Sequence, residues 1–248
     1  MLPLDRPPVL ILDETPSTNA EARARAEAGD MGPLWIMARR QTAGRGRRGR
    51  AWETGAGNLA ATLLCVTAKP PAEAAQISFI AALAVAELAD SAMAQPLAQL
   101  KWPNDVLVQG RKISGILVES GLRPDGALWL AVGIGVNLQT PPDAAERPAA
   151  AIADFEGAQV LSQDEALARL SVRMADWTAL WDREGFAPIA TAWTARAYGL
   201  GAACTARLGH ETVEGTAEGL DPDGSLRLRL VDNSVRRISA GDVFFGEV

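Results

Sequence analysis

At 248 residues the chain is long enough for one large domain, or for one with a small module attached. Apolar residues make up 48% of it, ample for a core, while a formal net charge of −6 and a pI near 5.0 exclude a generally basic surface. Two well-separated cysteines, Cys65 and Cys204, and the single histidine, His210, exclude a disulfide framework and a Cys- or His-rich metal site, and do not suggest a Ser-His-Asp triad built around a core pocket.

Met1 to Pro8 carries Asp5 and three prolines, with no apolar core of a targeting segment. The longest apolar stretch, ISFIAALAVA from Ile77, is shorter than a bilayer span. A cytoplasmic protein without a membrane partner is expected.

Val9 to Leu12 is wholly apolar and reads as a buried strand. The Ala/Glu/Arg run after Pro16 reads as a helix, with Thr18 and Glu21 as a capping box and Gly29 as its stop. Ser17, Thr18 and Asn19 therefore stand at a helix N-terminus beyond a strand. They serve there either as plain caps or as hydrogen-bonding groups for a polar ligand.

Leu34 to Ala38 is a second strand, and it feeds the chain's densest feature. Four arginines and three glycines fall between Gln41 and Arg50, and Arg39 and Arg40 precede them. No acid lies between Arg39 and Trp52. In an acidic chain this is a local anion site, with glycines for close backbone approach and guanidinium groups suited to carboxylate and phosphate. It is expected to be a mobile loop that folds over a small polyanion. Gly44, Gly46 and Gly49 also spell the dinucleotide fingerprint. That reading fails: no helix opens downstream, and the acid required about 20 residues on is missing at Thr67, Ala68 and Lys69.

Asn58 to Val66 is a third strand. Glu73 to Met93 is a helix apolar nearly all round, hence central and buried. Leu97 to Lys101 is a strand, followed by the turn Trp102-Pro103-Asn104-Asp105, a short strand Val106 to Val108 and a hairpin turn at Gln109-Gly110. Lys112 to Glu119 is a strand whose alternation places Lys112 and Ser114 on one face. Leu128 to Asn137 is the last core strand, and Gly133 and Gly135 suggest close approach of a backbone or ligand.

Gln139 to Ala149 is a proline-rich loop. Ser162 and Glu165 form a capping box opening a helix through about Trp181, and Phe186 to Tyr198 is another helix. Trp177, Trp181 and Trp193 are assigned to the core. After Leu200 five short strand-like runs follow, separated by turns such as Asp221-Pro222-Asp223-Gly224. The expected organisation is a domain over residues 1–200 and a small barrel over 201–248, with His210 on an exposed turn.

Ser17-Thr18-Asn19, the arginine loop, Lys101 with Asn104-Asp105, and Lys112 all fall at strand ends or adjoining loops. They contain no base–nucleophile pair, so covalent catalysis by a side chain is unsupported. They suit a reaction that aligns and neutralises two anions, such as a carboxylate attacking a nucleotide α-phosphate.

The ordered set P-S-T-N, QTAGRGRRGRAW, KWPNDV, GRKISGILVE and GIGVN resembles the biotin–protein ligases, from about Asp13 to Asn137. The terminal strands resemble that family's small C-terminal domain. The resemblance implies an α+β fold: a mixed sheet with helices, related to class II aminoacyl-tRNA synthetases and lipoate ligases, plus an SH3-like β-barrel. It implies that biotin and MgATP give biotinyl-5′-AMP, and that a lysine of a biotin carboxyl carrier protein then takes the biotinyl group. By motif, Ser17, Thr18, Asn19 and Gln41 bind the ureido end of biotin. Gly44, Arg45, Gly46 and Arg47 close over its carboxylate together with Lys112. Arg47, Arg48, Arg50, Trp52, Asn104, Lys112 and Asn137 serve the ATP or adenylate side. Lys112, Arg45, Arg47 and Asp105 are the catalytic candidates, with Asn104 and Asp105 serving either the phosphate–Mg²⁺ side or the incoming lysine amine. No dedicated metal site is expected.

Family members that are also repressors carry an N-terminal winged helix-turn-helix. The S-T-N motif starts here at residue 17, so no nucleic-acid partner is expected, and a homodimer is left open. The loop after Asn137 has no aromatic residue between Gln139 and Ala149 to stack on adenine. The rivals are a lipoate–protein ligase of the same fold, a nucleic-acid or anion-binding protein using the arginine loop, and an adenylate-binding protein without transfer activity.

Overall fold

The computed structural model describes residues 4, 6–142 and 148–246. Seven strands form one mixed sheet: β1 (Val9–Thr15), β2 (Leu34–Gln41), β3 (Leu59–Thr67), β4 (Ala98–Lys101), β5 (Asp105–Val108), β6 (Arg111–Leu122) and β7 (Leu128–Val136). Their order is β1-β2-β3-β7-β6-β5-β4, with β1 and β2 parallel and the other neighbours antiparallel. The apolar run at Val9 is not buried as expected. It lies on the sheet's edge, where Val9 and Ile11 are 47% and 45% exposed. An apolar run reports strand propensity, not what flanks the strand.

The two faces of the sheet do different work. One carries the main core, which Leu59, Ala61, Leu63 and Cys65 of β3 share with residues of α3 (Ile77–Ala92), α4 (Gln163–Glu184) and α5 (Phe186–Ala195). Helix α3 is buried as expected, and a short turn of helix, α2 (Pro71–Ala74), precedes it. By length and composition Pro71–Ala92 could cross a membrane, contrary to the reading of ISFIAALAVA, but its residues are mostly packed inside the fold. The Ser162–Glu165 capping box opens α4 as read from sequence, and Trp181 and Trp193 are in the core with Trp177 packed against it.

The other face is covered only in part. Helix α1 (Thr18–Glu27) lays Ala22 and Ala26 on Ile36, Leu64 and Ala131. Beyond its N-terminus the face stays open, and the strands offer small residues there. This opening is the cleft described below. Ser17 is the N-cap by position, yet no side chain caps the helix, so the expected Thr18–Glu21 box does not form. The Thr18 hydroxyl is engaged elsewhere.

Five antiparallel strands follow in the order β11-β10-β9-β8-β12: β8 (Ala203–Arg207), β9 (Thr212–Leu220), β10 (Leu226–Arg229), β11 (Val235–Ile238) and β12 (Asp242–Phe245). Trp102 Nε1 donates to Gly224 O at 3.1 Å, and Phe245 packs edge-on against Tyr198, so this unit is fixed to the first.

Candidate active site

A cleft of about 310 Å³ opens on the α1 face. Its floor is β7 and β6, at Gly133, Gly135, Gly115 and Leu117. One wall is Ser17, Thr18, Asn19 and Gln41; the arginine loop, Asn104-Asp105 and Lys112 close the rest.

The glycines admit side chains rather than a backbone. A Cβ on Gly133 would stand 2.1 Å from Asn19 Oδ1, and one on Gly135 would stand 2.3 Å from Trp52 Cε2. Trp52 therefore lies on β7 because Gly135 leaves it room. Its ring also neighbours Lys112, whose Nζ is 5.6 Å from the ring centroid, within cation–π range.

Lys112 reaches the cleft through a bulge. Val106 pairs with Ser114, but Leu107 pairs with Lys112, so Ile113 is an extra residue on β6. Ile113 and Ile116 both belong to the main core, whereas Gly115 and Lys112 line the cleft. Strict alternation would have sent Lys112 to the core side, with the fully buried Ser114. The expectation that the two share a face is thus wrong, because the bulge re-aims one of them. Lys112 Nζ then lies 2.6 Å from Asp105 Oδ1, across the hairpin.

The polar wall is internally bonded. Thr18 N–H donates to Gln41 Oε1 at 2.8 Å, with the Thr18 hydroxyl 3.1 Å from the same oxygen. Gln41 Nε2 donates to Thr54 at 3.1 Å. The buried Thr62 hydroxyl donates to Asn19 Oδ1 at 2.7 Å and lies 2.8 Å from Thr18 Oγ1.

The arginines divide. Arg39 is held by Asp164 at 2.7 Å and Arg40 by Glu14 at 2.9 Å, so neither lines the cleft. Arg45, Gly46, Arg47 and Arg50 do. Arg48 does not: at φ +56 in the short 3₁₀ turn Arg47–Gly49 it turns away to Asp242, at 3.0 Å. Gly44 does not line the cleft either; it is where the loop closes on Trp52, whose N–H donates to Gly44 O at 2.9 Å and whose own carbonyl oxygen would stand 2.4 Å from a Cβ. Arg47 Nη1 donates to Asn104 Oδ1 at 3.5 Å and to Gly241 O at 3.3 Å, both neutral and long. Burial pulls its guanidinium below the usual value, with the Asp242 charge pulling the other way. A desolvated arginine with weak neutral partners is poised for an anion.

Asn137 lines the cleft but spends its amide on Ala150 O at 3.1 Å, bracing the crossing at Lys112 and Ala149. Pro142 and Ala149 also line the cleft; residues 143–147 of the loop considered for adenine lie outside the described residues. Among the residues that sequence reasoning missed are Glu53, Trp102, Asp242 and Val243. Asp242 also pairs with Arg50. Nothing local in SAGDVFF marks Asp242; only the docking of β12 brings it here. Among the described residues no three His, Cys, Asp or Glu cluster as a metal site.

Residues 12–138 match the Biotin/lipoate A/B protein ligase family, and residues 199–246 match the Biotin protein ligase C terminal domain. The chain belongs to the biotin protein ligases. It is 45% identical to a biotin–[acetyl-CoA-carboxylase] ligase of Paracoccus denitrificans, covering 95% of this chain and 100% of that one. It is 33% identical to the Mycobacterium tuberculosis protein of the same name, over 94% and 87% of the two chains. Its fold matches the Aquifex aeolicus biotin protein ligase in complex with biotin and ATP, with a TM-score of 0.81 and 26% identity over 96% of this chain and 99% of that one. The α+β fold with a mixed sheet and helices is therefore that of the biotin protein ligases, and the C-terminal antiparallel sheet is consistent with the SH3-like barrel expected.

Proposed function

We propose that this protein condenses biotin with ATP to biotinyl-5′-AMP and pyrophosphate, then transfers the biotinyl group to a lysine of a biotin carboxyl carrier protein. One observation carries the reading: Lys112 and the loop arginines converge with the Ser17–Asn19 wall in a single cleft. Support comes from the relatives' names and from the biotin and ATP bound to the Aquifex protein.

Each step follows from the residues. The polar wall of Ser17, Thr18, Asn19 and Gln41 takes the ureido ring. The biotin carboxylate then points toward Lys112 and the loop. Two anions about 4 Å apart repel by about 4 kcal/mol at an effective dielectric of about 20. Lys112, Arg45 and Arg47 supply fixed cations that remove this repulsion and stabilise the charge growing on the α-phosphate. Trp52, seated on Gly135, closes one side against water. Asn137 and Arg50 serve the nucleotide side.

Mg²⁺ enters as the ion of MgATP, held mostly by phosphates and water. Asp105 and Asn104 are the oxygen groups that would meet it, and they also stand in reach of an incoming amine. Residues 1–200 form the catalytic domain and 201–248 the small barrel, which contributes Asp242 and Val243 to the cleft.

The test is pyrophosphate release from MgATP with biotin and with lipoate offered separately, without carrier. Release with biotin alone supports the reading. Release with lipoate alone keeps the chemistry and overturns the substrate, and silence with both overturns the proposal.

A further inference from the structure

We infer that Glu119, outside the cleft, is a specificity-determining positioning residue: it locks the Asn19 amide so that the polar wall offers acceptors to a ligand N–H. This rests on the proposed biotin reading and extends it to a residue that touches no substrate.

Asn19 is 5% exposed, and its amide is committed on both ends. Its Nδ2 donates to Glu119 Oε2 at 2.8 Å and to Leu117 O at 3.3 Å. Both partners only accept, so both Nδ2 hydrogens are used beneath the cleft. Oδ1 takes the Thr62 hydroxyl at 2.7 Å and keeps one lone pair. It sits over Gly133, a cleft-lining residue whose missing Cβ leaves it room.

The direction of the network follows from this end. Thr62 gives its only hydrogen to Asn19, so it accepts from the Thr18 hydroxyl at 2.8 Å. A hydroxyl or an amide can reverse its role, whereas a carboxylate only accepts. Glu119, at 2.8 Å the nearer of the two fixed acceptors on Asn19, therefore sets the polarity of Asn19, Thr62 and Thr18 together, with the Leu117 carbonyl at 3.3 Å as the weaker hold. A cyclic urea, with N–H donors, satisfies the spare acceptor on Asn19. A dithiolane has no N–H and would strip water from that acceptor without replacing it, which a buried polar site penalises.

Glu119→Gln removes the lock, because a glutamine can donate and let the Asn19 amide turn over. The measurement is pyrophosphate release at varied biotin, lipoate and ATP, with wild type run first. The expected result is a biotin KM raised about tenfold. Preference for biotin over lipoate should fall by a similar factor, with ATP KM and the rate at saturating biotin within about twofold of wild type. Glu119→Asp keeps an acceptor and should retain the preference. Glu119→Ala removes the same acceptor outright and should reproduce the Glu119→Gln shift, so it decides the matter if Glu119→Gln does not fold. An unchanged biotin KM and preference would overturn the inference. So would an equal loss of rate with both acids at constant preference, the mark of a merely structural role. A wild type inactive with biotin would instead overturn the ligase reading, a separate result.

Discussion

Lys112 Nζ lies 2.6 Å from Asp105 Oδ1, and the two residues approach from adjacent strands only because β6 carries an extra residue at Ile113. The pair is oriented before any ligand arrives. Lys112→Ala removes a preorganised cation and should cut adenylate formation more than a hundredfold. Asp105→Asn keeps the cation and loses its tether. It should lower pyrophosphate release by about tenfold or less, with a larger loss in transfer to the carrier lysine. Single-turnover assays of the two half-reactions measure this. A loss confined to pyrophosphate release, with normal transfer, would place Asp105 on the nucleotide side alone.

Trp52 and Gly135 make a second dependent pair. A methyl group at position 135 would fall 2.3 Å from the indole and push it off β7. Gly135→Ala should fold, since Gly135 is not among the glycines of positive φ. It should release biotinyl-5′-AMP into solution about tenfold faster, because the lid would no longer seal. Adenylate retained after gel filtration checks it; normal retention would mean that Trp52 does not cover the cleft.

Most of the fold is legible in the sequence, because hydrophobic period, turn chemistry and capping act over a few residues. The Ser162–Glu165 box and the Asp221–Gly224 turn are of this kind. What was misread depends on contacts distant in sequence. The Thr18 hydroxyl leaves its own helix for Thr62, 44 residues on. The bulge that re-aims Lys112 is set by pairing with β5, not by any local signal. Asp242 meets the arginine loop across 194 residues. Gly133 and Gly135 signalled close approach, but a lone chain could not say that Asn19 and Trp52 would be what approaches.

The two thiols give a prediction in pH. Burial pushes Cys65 up to about 12 and Cys204 up to about 11, the latter opposed slightly by Lys101. Folding therefore favours the protonated thiol. That contribution is fully present below the unfolded pKa of about 8.5 and fades as pH rises toward the folded values. Urea midpoints should fall from about pH 9 upward, and Cys65→Ala should flatten the slope. At pH 8 neither native thiol should react with a disulfide reagent faster than the protein opens.

Asp242 ties the loop to the C-terminal unit: it accepts from Arg48 Nη1 at 3.0 Å and pairs with Arg50. Arg48 and Arg50 are both 40% exposed, so the ion pairs should add about 1 kcal/mol or less to global stability. Their effect belongs to the loop. Asp242→Ala should leave the thermal midpoint nearly unchanged while speeding tryptic cleavage after Arg48 and Arg50 several-fold. Biotin with ATP should restore protection if phosphate replaces the lost carboxylate as the arginines' partner. Cleavage unaltered by Asp242→Ala would show that Arg47's bonds to Asn104 and Gly241 hold the loop without Asp242. A large fall in the midpoint would show that the contact is part of the interface between the two units rather than a loop latch.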